Sequence, residues 1–167
     1  MIGVLALQGN FVSHIEILNK IGIDSKLVKN VNDLSDLNGL ILPGGESTTM
    51  SNLLLRDQSF VDAIKSFSQS NPIFGTCAGL ILMSKNSFDK KVLNMDILDI
   101  EVNRNAYGRQ VHSFEDSITL ESIDDSSRLI KASFIRAPKI TSIGKNVDVL
   151  CKHNNEVVGV KQGIHMA

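Results

Sequence analysis

The sequence predicts an α/β fold: a mostly parallel sheet with helices on both faces and antiparallel additions in the second half of the chain. The first indication is a series of short, continuous apolar runs, typical of strands that are buried on both faces of a parallel sheet. The second is that segments with helical apolar spacing alternate with these runs, as in repeated βα units. The third is a later change to short strand-like pieces joined by polar turns. A length of 167 residues suits one domain, predicted to cover residues 1–167.

The first half of the chain supplies the predicted βα units in order. Apolar runs predict strands at residues 2–7, 23–28, 40–42 and 72–74. The first helix ends at Gly22 and has these predicted inward positions: Phe11, Ile15, Leu18 and Ile21. Residues 30–37 are polar and predict a short helical or irregular segment. Two further helices are predicted, one over residues 50–56 and one with Phe60, Ile64 and Phe67 facing inward, which Pro72 ends.

The second half predicts short strands that add antiparallel pairs to the sheet. They lie at residues 96–102, 110–114, 117–120, 133–135, 147–151 and 157–160. The segment 153–156 separates the last two and has the composition of a hairpin turn.

A candidate nucleophile, Cys77, follows the fourth apolar run. The pattern Gly-x-Cys-x-Gly at residues 75–79 leads into residues 80–83, which contain no helix breaker. This arrangement is typical of a nucleophile elbow, where glycines flank the reactive residue because the turn is sharp. A helix N-terminus favours the thiolate over the thiol and offers N–H groups to an oxyanion. On the motif alone, a buried and inert cysteine explains the pattern equally well.

A second glycine-rich turn, Pro-Gly-Gly-Glu-Ser-Thr at residues 43–48, follows the third strand. Ligands of parallel sheets bind beyond the carboxyl ends of the strands, and both glycine-rich turns are predicted at that edge. The loop lacks the lysine and the spacing of a phosphate-binding P-loop. Its backbone N–H groups suit an oxyanion or a substrate carboxylate, and the alternative is a simple strand-to-helix turn.

The remaining candidates have weaker support from sequence. Arg104 and Arg136 adjoin turn residues, where each can bind a carboxylate through two N–H groups or stay solvated. Cys151 lies in a predicted strand and is expected to be a core residue. His14 is expected to be solvated or to cap its helix. The histidines and cysteines share no metal-ligand spacing, so neither a metal site nor a cofactor is predicted.

Composition excludes several classes of function. The net charge is −1 and no basic run occurs, which argues against nucleic acid as a partner. No apolar segment approaches the roughly 20 residues that cross a bilayer. No secretory signal pattern precedes the first strand, and two cysteines without such a signal indicate reduced thiols. We therefore expect a cytoplasmic protein.

Five segments together resemble the glutaminase subunits of pyridoxal 5′-phosphate synthases, a branch of the class I glutamine amidotransferases. The segments are residues 3–9, 42–50, 74–79, 104–110 and 134–138. The resemblance implies a flavodoxin-like open three-layer sandwich. It also implies hydrolysis of L-glutamine to glutamate and ammonia without a cofactor. The ammonia would pass to a separate, barrel-shaped synthase subunit in a hetero-oligomer.

The resemblance also assigns roles to individual residues. Cys77 would be the nucleophile, and the N–H groups of Gly45 and Ala78 would form the oxyanion hole. The residues implied to bind glutamine are Gly45, Glu46, Ser47, Arg104, Ile135 and Arg136.

One feature departs from the family. Its members complete a catalytic triad with the histidine and glutamate of a Phe-His-Pro-Glu motif, followed by a final helix, and that motif does not occur in these 167 residues. We therefore expect residues 1–167 to be an amidotransferase domain without its C-terminal strand end and last helix. A glutaminase is favoured over a non-catalytic binding module of the same fold, because Cys77, both glycine-rich turns and both arginines are retained. A cysteine hydrolase acting on another acyl substrate is a third alternative.

Overall fold

The computed structural model describes residues 1–104, 114–121, 127–135 and 137–167. Its strands are β1 (Ile2–Leu5), β2 (Ser25–Val28), β3 (Gly39–Leu42), β4 (Ile73–Gly75), β5 (Ser84–Asn86), β6 (Leu98–Asn103), β7 (Phe114–Glu121), β8 (Ser127–Phe134), β9 (Lys139–Ile143), β10 (Asp148–His153), β11 (Glu156–Gln162) and β12 (His165–Met166). Its α-helices are α1 (Phe11–Lys20), α2 (Ser47–Leu54), α3 (Gln58–Ser68) and α4 (Ala78–Met83), and a 3-10 helix covers Val31–Leu34.

Nine strands form one sheet in the order β2-β1-β3-β4-β12-β11-β10-β7-β8. The pairs from β2 to β12 are parallel, and those from β12 to β8 are antiparallel. β5, β6 and β9 form a second, three-stranded sheet. The predicted α/β fold is therefore confirmed. The strand predicted at residues 96–102, however, does not join the nine-stranded sheet. It corresponds to β6, which pairs with β5 and β9 in the smaller sheet.

Helices cover both faces of the parallel strands. On one face, α1 packs Leu18 against Val4 and Ile41 of the sheet. On the other face, α2, α3 and α4 bury a larger core that includes Leu42 and Ile64. Alternate residues of one strand point to opposite faces, which is why neighbours such as Ile41 and Leu42 belong to different clusters. Of the described helices, none is long and apolar enough to cross a membrane.

Most of the predicted elements are present, with shifted ends. The hairpin turn between β10 and β11 is confirmed, and Asn154 and Asn155 both have positive φ, as its tight two-residue form requires. The inward position predicted for Ile21 is wrong. The helix ends at Lys20, and Ile21 turns outward as its C-terminal cap. Residues 110–113 of one predicted strand lie outside the described residues.

Candidate functional site

Cys77 lies between β4 and α4 and has a backbone that L-residues rarely adopt. Its φ is 49° and its ψ is −101°, and its side chain is partly exposed. Thr76 N–H donates to the Leu42 carbonyl oxygen at 3.0 Å, which fixes the turn against the end of β3. A reactive residue held in a sharp, strained strand-to-helix turn is the geometry of a nucleophile elbow.

The two glycines that flank Cys77 are required by close packing. A Cβ on Gly79 would lie 2.0 Å from the Leu42 carbonyl oxygen, and a Cβ on Gly75 would lie 2.8 Å from the Gly79 carbonyl carbon. Neither approach leaves room for a side chain. The glycines of the motif therefore bring α4 directly onto the end of β3, as the sequence pattern predicts.

The glycine-rich turn after β3 meets this elbow. β3 and β4 are adjacent parallel strands, with Leu42 opposite Gly75, so both turns leave the same edge of the sheet. A Cβ placed on Gly44 would lie 3.5 Å from Cys77 Cβ, so the Gly44 backbone lies beside the Cys77 side chain. The predicted placement of both glycine-rich turns at the carboxyl edge of the sheet is confirmed.

A third turn, residues 8–10 after β1, packs against the glycine-rich turn. Gly45 sits close to the Gln8 side chain, and Gln8 Oε1 accepts the Glu46 N–H at 2.9 Å. Asn10 N–H donates to the Gly44 carbonyl oxygen at 2.9 Å. The amino-acid pattern of this turn does not itself predict a place in the site. The available signal was its place at the carboxyl end of β1, the same edge as the other two turns.

Glu46 caps helix α2. Its carboxylate accepts the N–H groups of Thr48 at 3.1 Å and Thr49 at 2.6 Å, together with the Thr49 hydroxyl at 2.8 Å. Burial acts to raise the pKa of Glu46, but the hydrogen bonds from Thr49 and Thr48 outweigh it, so the pKa lies below its ordinary value. Glu46 is therefore ionised at neutral pH, next to the elbow and at the positive end of the helix.

Arg104, directly after β6, reaches this helix start. Its Nη1 donates to Thr48 Oγ1 at 2.8 Å, and its Nη2 lies 3.4 Å from Glu46 Oε1. A further contact joins Nη1 to Asp89 Oδ2 at 3.4 Å. The guanidinium is held beside the last residues of the glycine-rich turn, where a substrate carboxylate is expected.

The other predicted substrate-binding residues differ in what the structure shows. Ser47 is buried as the first residue of α2. Ile135 follows β8 and is exposed, so its role in substrate binding stays a prediction. Arg136 lies outside the described residues. Cys151 is buried in β10, which confirms its expected place in the core.

The surroundings of His14 differ from the solvated or capping role expected for this residue. Its Nε2 lies 3.4 Å from Thr76 Oγ1, next to the elbow, and burial lowers its pKa, so the ring is neutral at pH 7. Sequence gave no signal for this contact, since the two residues meet only through the packing of α1 on the sheet.

His165 is at the other end of β4, where its Nδ1 accepts the Ile73 N–H at 3.2 Å. His112 lies outside the described residues.

The arrangement can perform acyl transfer by a thiolate. A strained elbow presents Cys77 beside the turn that follows β3, and the guanidinium of Arg104 is held at the start of the helix that follows this turn. Within the described residues, no group of three or more histidine, cysteine, aspartate or glutamate side chains is arranged to bind a metal ion.

Comparison with known proteins decides the family. Residues 4–167 match the profile of the SNO glutamine amidotransferase family. The chain belongs to this family. A similar solved structure, described as a glutamine amidotransferase, has a TM-score of 0.90 and 38% sequence identity, and the match covers 99% of this chain and 86% of that one. The family's fold is therefore the fold of this chain.

Named relatives within the family are also similar over nearly the whole chain. The pyridoxal 5′-phosphate synthase subunit PdxT of Francisella philomiragia is 47% identical over 162 residues, which are 97% of this chain and 84% of that protein. The subunit of the same name from Halalkalibacterium halodurans is 45% identical over 163 residues, which are 97% of this chain and 81% of that protein.

Proposed function

We propose that this chain is the glutaminase subunit of a pyridoxal 5′-phosphate synthase, which hydrolyses L-glutamine to glutamate and ammonia. The single observation that carries the proposal is the position of Cys77, held in a strained elbow beside the Gly44 turn, in a chain of this family. A non-catalytic binding module is not favoured, because such a module has no need of a strained nucleophile.

The proposed reaction begins with attack of the Cys77 thiolate on the side-chain amide carbon of glutamine. The carbonyl oxygen takes up the negative charge, and the N–H groups of Gly45 and Ala78 stabilise it. The C–N bond then breaks, the nitrogen leaves as ammonia after gaining a proton, and a thioester remains on Cys77. Water attacks the thioester, which releases glutamate and regenerates the thiol.

The far end of glutamine is proposed to bind beside helix α2. Arg104 supplies a cation for the α-carboxylate, with Gly45, Glu46 and Ser47 lining the same turn. Ile135 and Arg136 are proposed to complete this part of the site. An arginine suits the task because its planar guanidinium can bind both carboxylate oxygens.

The partner is proposed to be a barrel-shaped synthase subunit that receives the ammonia in a hetero-oligomer. Ammonia is protonated readily in water and loses its nucleophilicity, so a protected route between subunits is needed. The complex is proposed to lie in the cytoplasm, since a thiolate nucleophile must stay reduced.

The proton donor is proposed to lie on a continuation of β12. This strand runs parallel to β4 with Met166 opposite Phe74, so residues that continue it advance toward the level of Cys77. The Phe-His-Pro-Glu motif of the resembled family, carried on such a continuation, would bring its histidine to the nucleophile. Residues 1–167 are then one amidotransferase domain that such a strand end and a final helix complete.

Substitution of the nucleophile tests the proposal. In a chain that carries the Phe-His-Pro-Glu motif and is mixed with the synthase, Cys77→Ala is expected to abolish glutamate release. Cys151→Ala is the matched control, because it removes the other thiol from the core, and it should retain nearly full activity. Substantial turnover by the Cys77 variant would refute the assignment.

A further inference from the structure

Asp89 belongs to the loop between β5 and β6 and points toward the proposed substrate site. Its Oδ1 accepts the Lys91 N–H at 2.9 Å, and its main-chain carbonyl oxygen accepts the Val92 N–H at 3.0 Å. These two bonds form a turn that fixes the carboxylate. The second oxygen, Oδ2, lies 3.4 Å from Nη1 of Arg104.

The loop that carries Asp89 is anchored to the core. Asn94 Nδ2 donates to the Ile81 carbonyl oxygen at 2.9 Å, and Asn94 Oδ1 accepts the Ser87 N–H at 3.2 Å. Leu93 N–H donates to the buried Ser51 hydroxyl at 2.9 Å. A carboxylate on a loop held in this way can fix the position of a partner side chain.

Arg104 is held by two elements. Its Nη1 contacts both Thr48, at the start of α2, and Asp89, on the β5–β6 loop, and its Nη2 contacts Glu46. The Arg104 side chain is 19% exposed and that of Asp89 is 29% exposed, so the pair is shielded more than a surface ion pair. An arginine side chain has many rotamers, and each fixed contact lowers the entropy lost when a ligand binds.

We propose that Asp89 is a positioning residue for glutamine binding, because it holds the Arg104 guanidinium in the orientation that receives the α-carboxylate. This inference rests on the proposed function. Arg104 binds the end of glutamine that does not react, so Asp89 acts on KM and leaves kcat unchanged.

The charge of Asp89 can be separated from its part in the turn. Asp89→Asn keeps an oxygen for the Lys91 N–H and removes the charge facing Arg104. We expect it to raise the KM for glutamine about five-fold with kcat within two-fold of wild type. Asp89→Ala should raise KM at least as much, and Asp89→Glu should restore part of the loss.

Asp99→Asn is the matched control. Asp99 also pairs with a cation, Lys85 Nζ at 2.9 Å, and its substitution changes the net charge equally. It should leave KM unchanged. In an Arg104→Ala background, Asp89→Asn should have no further effect, because the two residues act through one contact. An unchanged KM for Asp89→Asn, or effects of the two substitutions that multiply, would overturn the inference.

Calorimetric titration with glutamine in a Cys77→Ala background separates this inference from the proposed function. If the wild-type complex releases no glutamate but glutamine binds, the proposed function fails and the Asp89 comparison still stands on the measured Kd. If glutamine does not bind, both fail. Thermal unfolding of each variant shows whether it is folded.

Discussion

At the scale of single residues, the backbone conformation of Cys77 costs free energy. With φ at 49°, a residue with a Cβ is strained by about 1–3 kcal/mol, whereas glycine is not. The elbow thus has a cysteine, the proposed nucleophile, at a position where glycine is the residue of lowest backbone strain.

Cys77→Gly and Cys77→Ala should therefore differ in stability although both lack the thiol. We expect the glycine variant to be more stable than the alanine variant by about 1 kcal/mol, after the greater flexibility of unfolded glycine is subtracted. Urea unfolding of both variants measures the difference. An alanine variant at least as stable as the glycine variant would show that the turn is not strained.

At the scale of one element, the cap of helix α2 makes stability depend on pH. The lowered pKa of Glu46 means that the ionised form is favoured in the folded chain. Ionised Glu46 therefore adds to the free energy of unfolding. This contribution is fully present above the ordinary pKa of 4.5, and it disappears as the pH falls through the lower pKa of the folded chain.

Glu46→Gln tests this contribution, since glutamine keeps an acceptor oxygen but not the charge. At pH 7 the variant should be less stable by up to about 1 kcal/mol, the usual size of a cap or helix-dipole effect. The difference should shrink below about pH 4.5. Glu16→Gln, at an exposed position of α1, is the control in urea unfolding. A difference that persists unchanged at low pH would contradict the role of the charge.

Sequence predicts an element well where its signal is local. The βα units and both glycine turns were foreseen, because apolar runs and glycines are visible within a few residues. β5 was not, since Ser84, Lys85 and Asn86 have no apolar pattern and are a strand only through pairing with β6. The contact between Asp89 and Arg104 likewise arises from loop packing that no spacing rule describes.

At the scale of the whole molecule, no histidine within the described residues is placed to give a proton to the departing ammonia. His165 bonds to Ile73, four positions before Cys77 in the chain, which along a strand is about 13 Å at roughly 3.3 Å per residue. His153 pairs with Asp116 in the antiparallel part of the sheet. His14 is nearer, but its contact is with Thr76.

A polypeptide of residues 1–167 should hence turn over glutamine 10²- to 10⁴-fold more slowly than one extended through a Phe-His-Pro-Glu motif, the usual contribution of a positioned acid–base group. Glutamate release with saturating synthase, by chains of confirmed mass, measures the ratio. Rates within ten-fold of each other would contradict this prediction. Loss of that residual activity in a His14→Ala variant would then identify the group responsible.

The place of β4 in the sheet also has a consequence for biosynthesis. β4 pairs with β3, made earlier, and with β12, whose Met166 lies opposite Phe74. While the chain grows on the ribosome, β1 to β4 can assemble, but β4 then remains an open edge until residues 165–166 emerge. Open strand edges recruit other chains, so a nascent chain that stalls before residue 165 presents β4, the strand that leads to Cys77, as a site for aggregation.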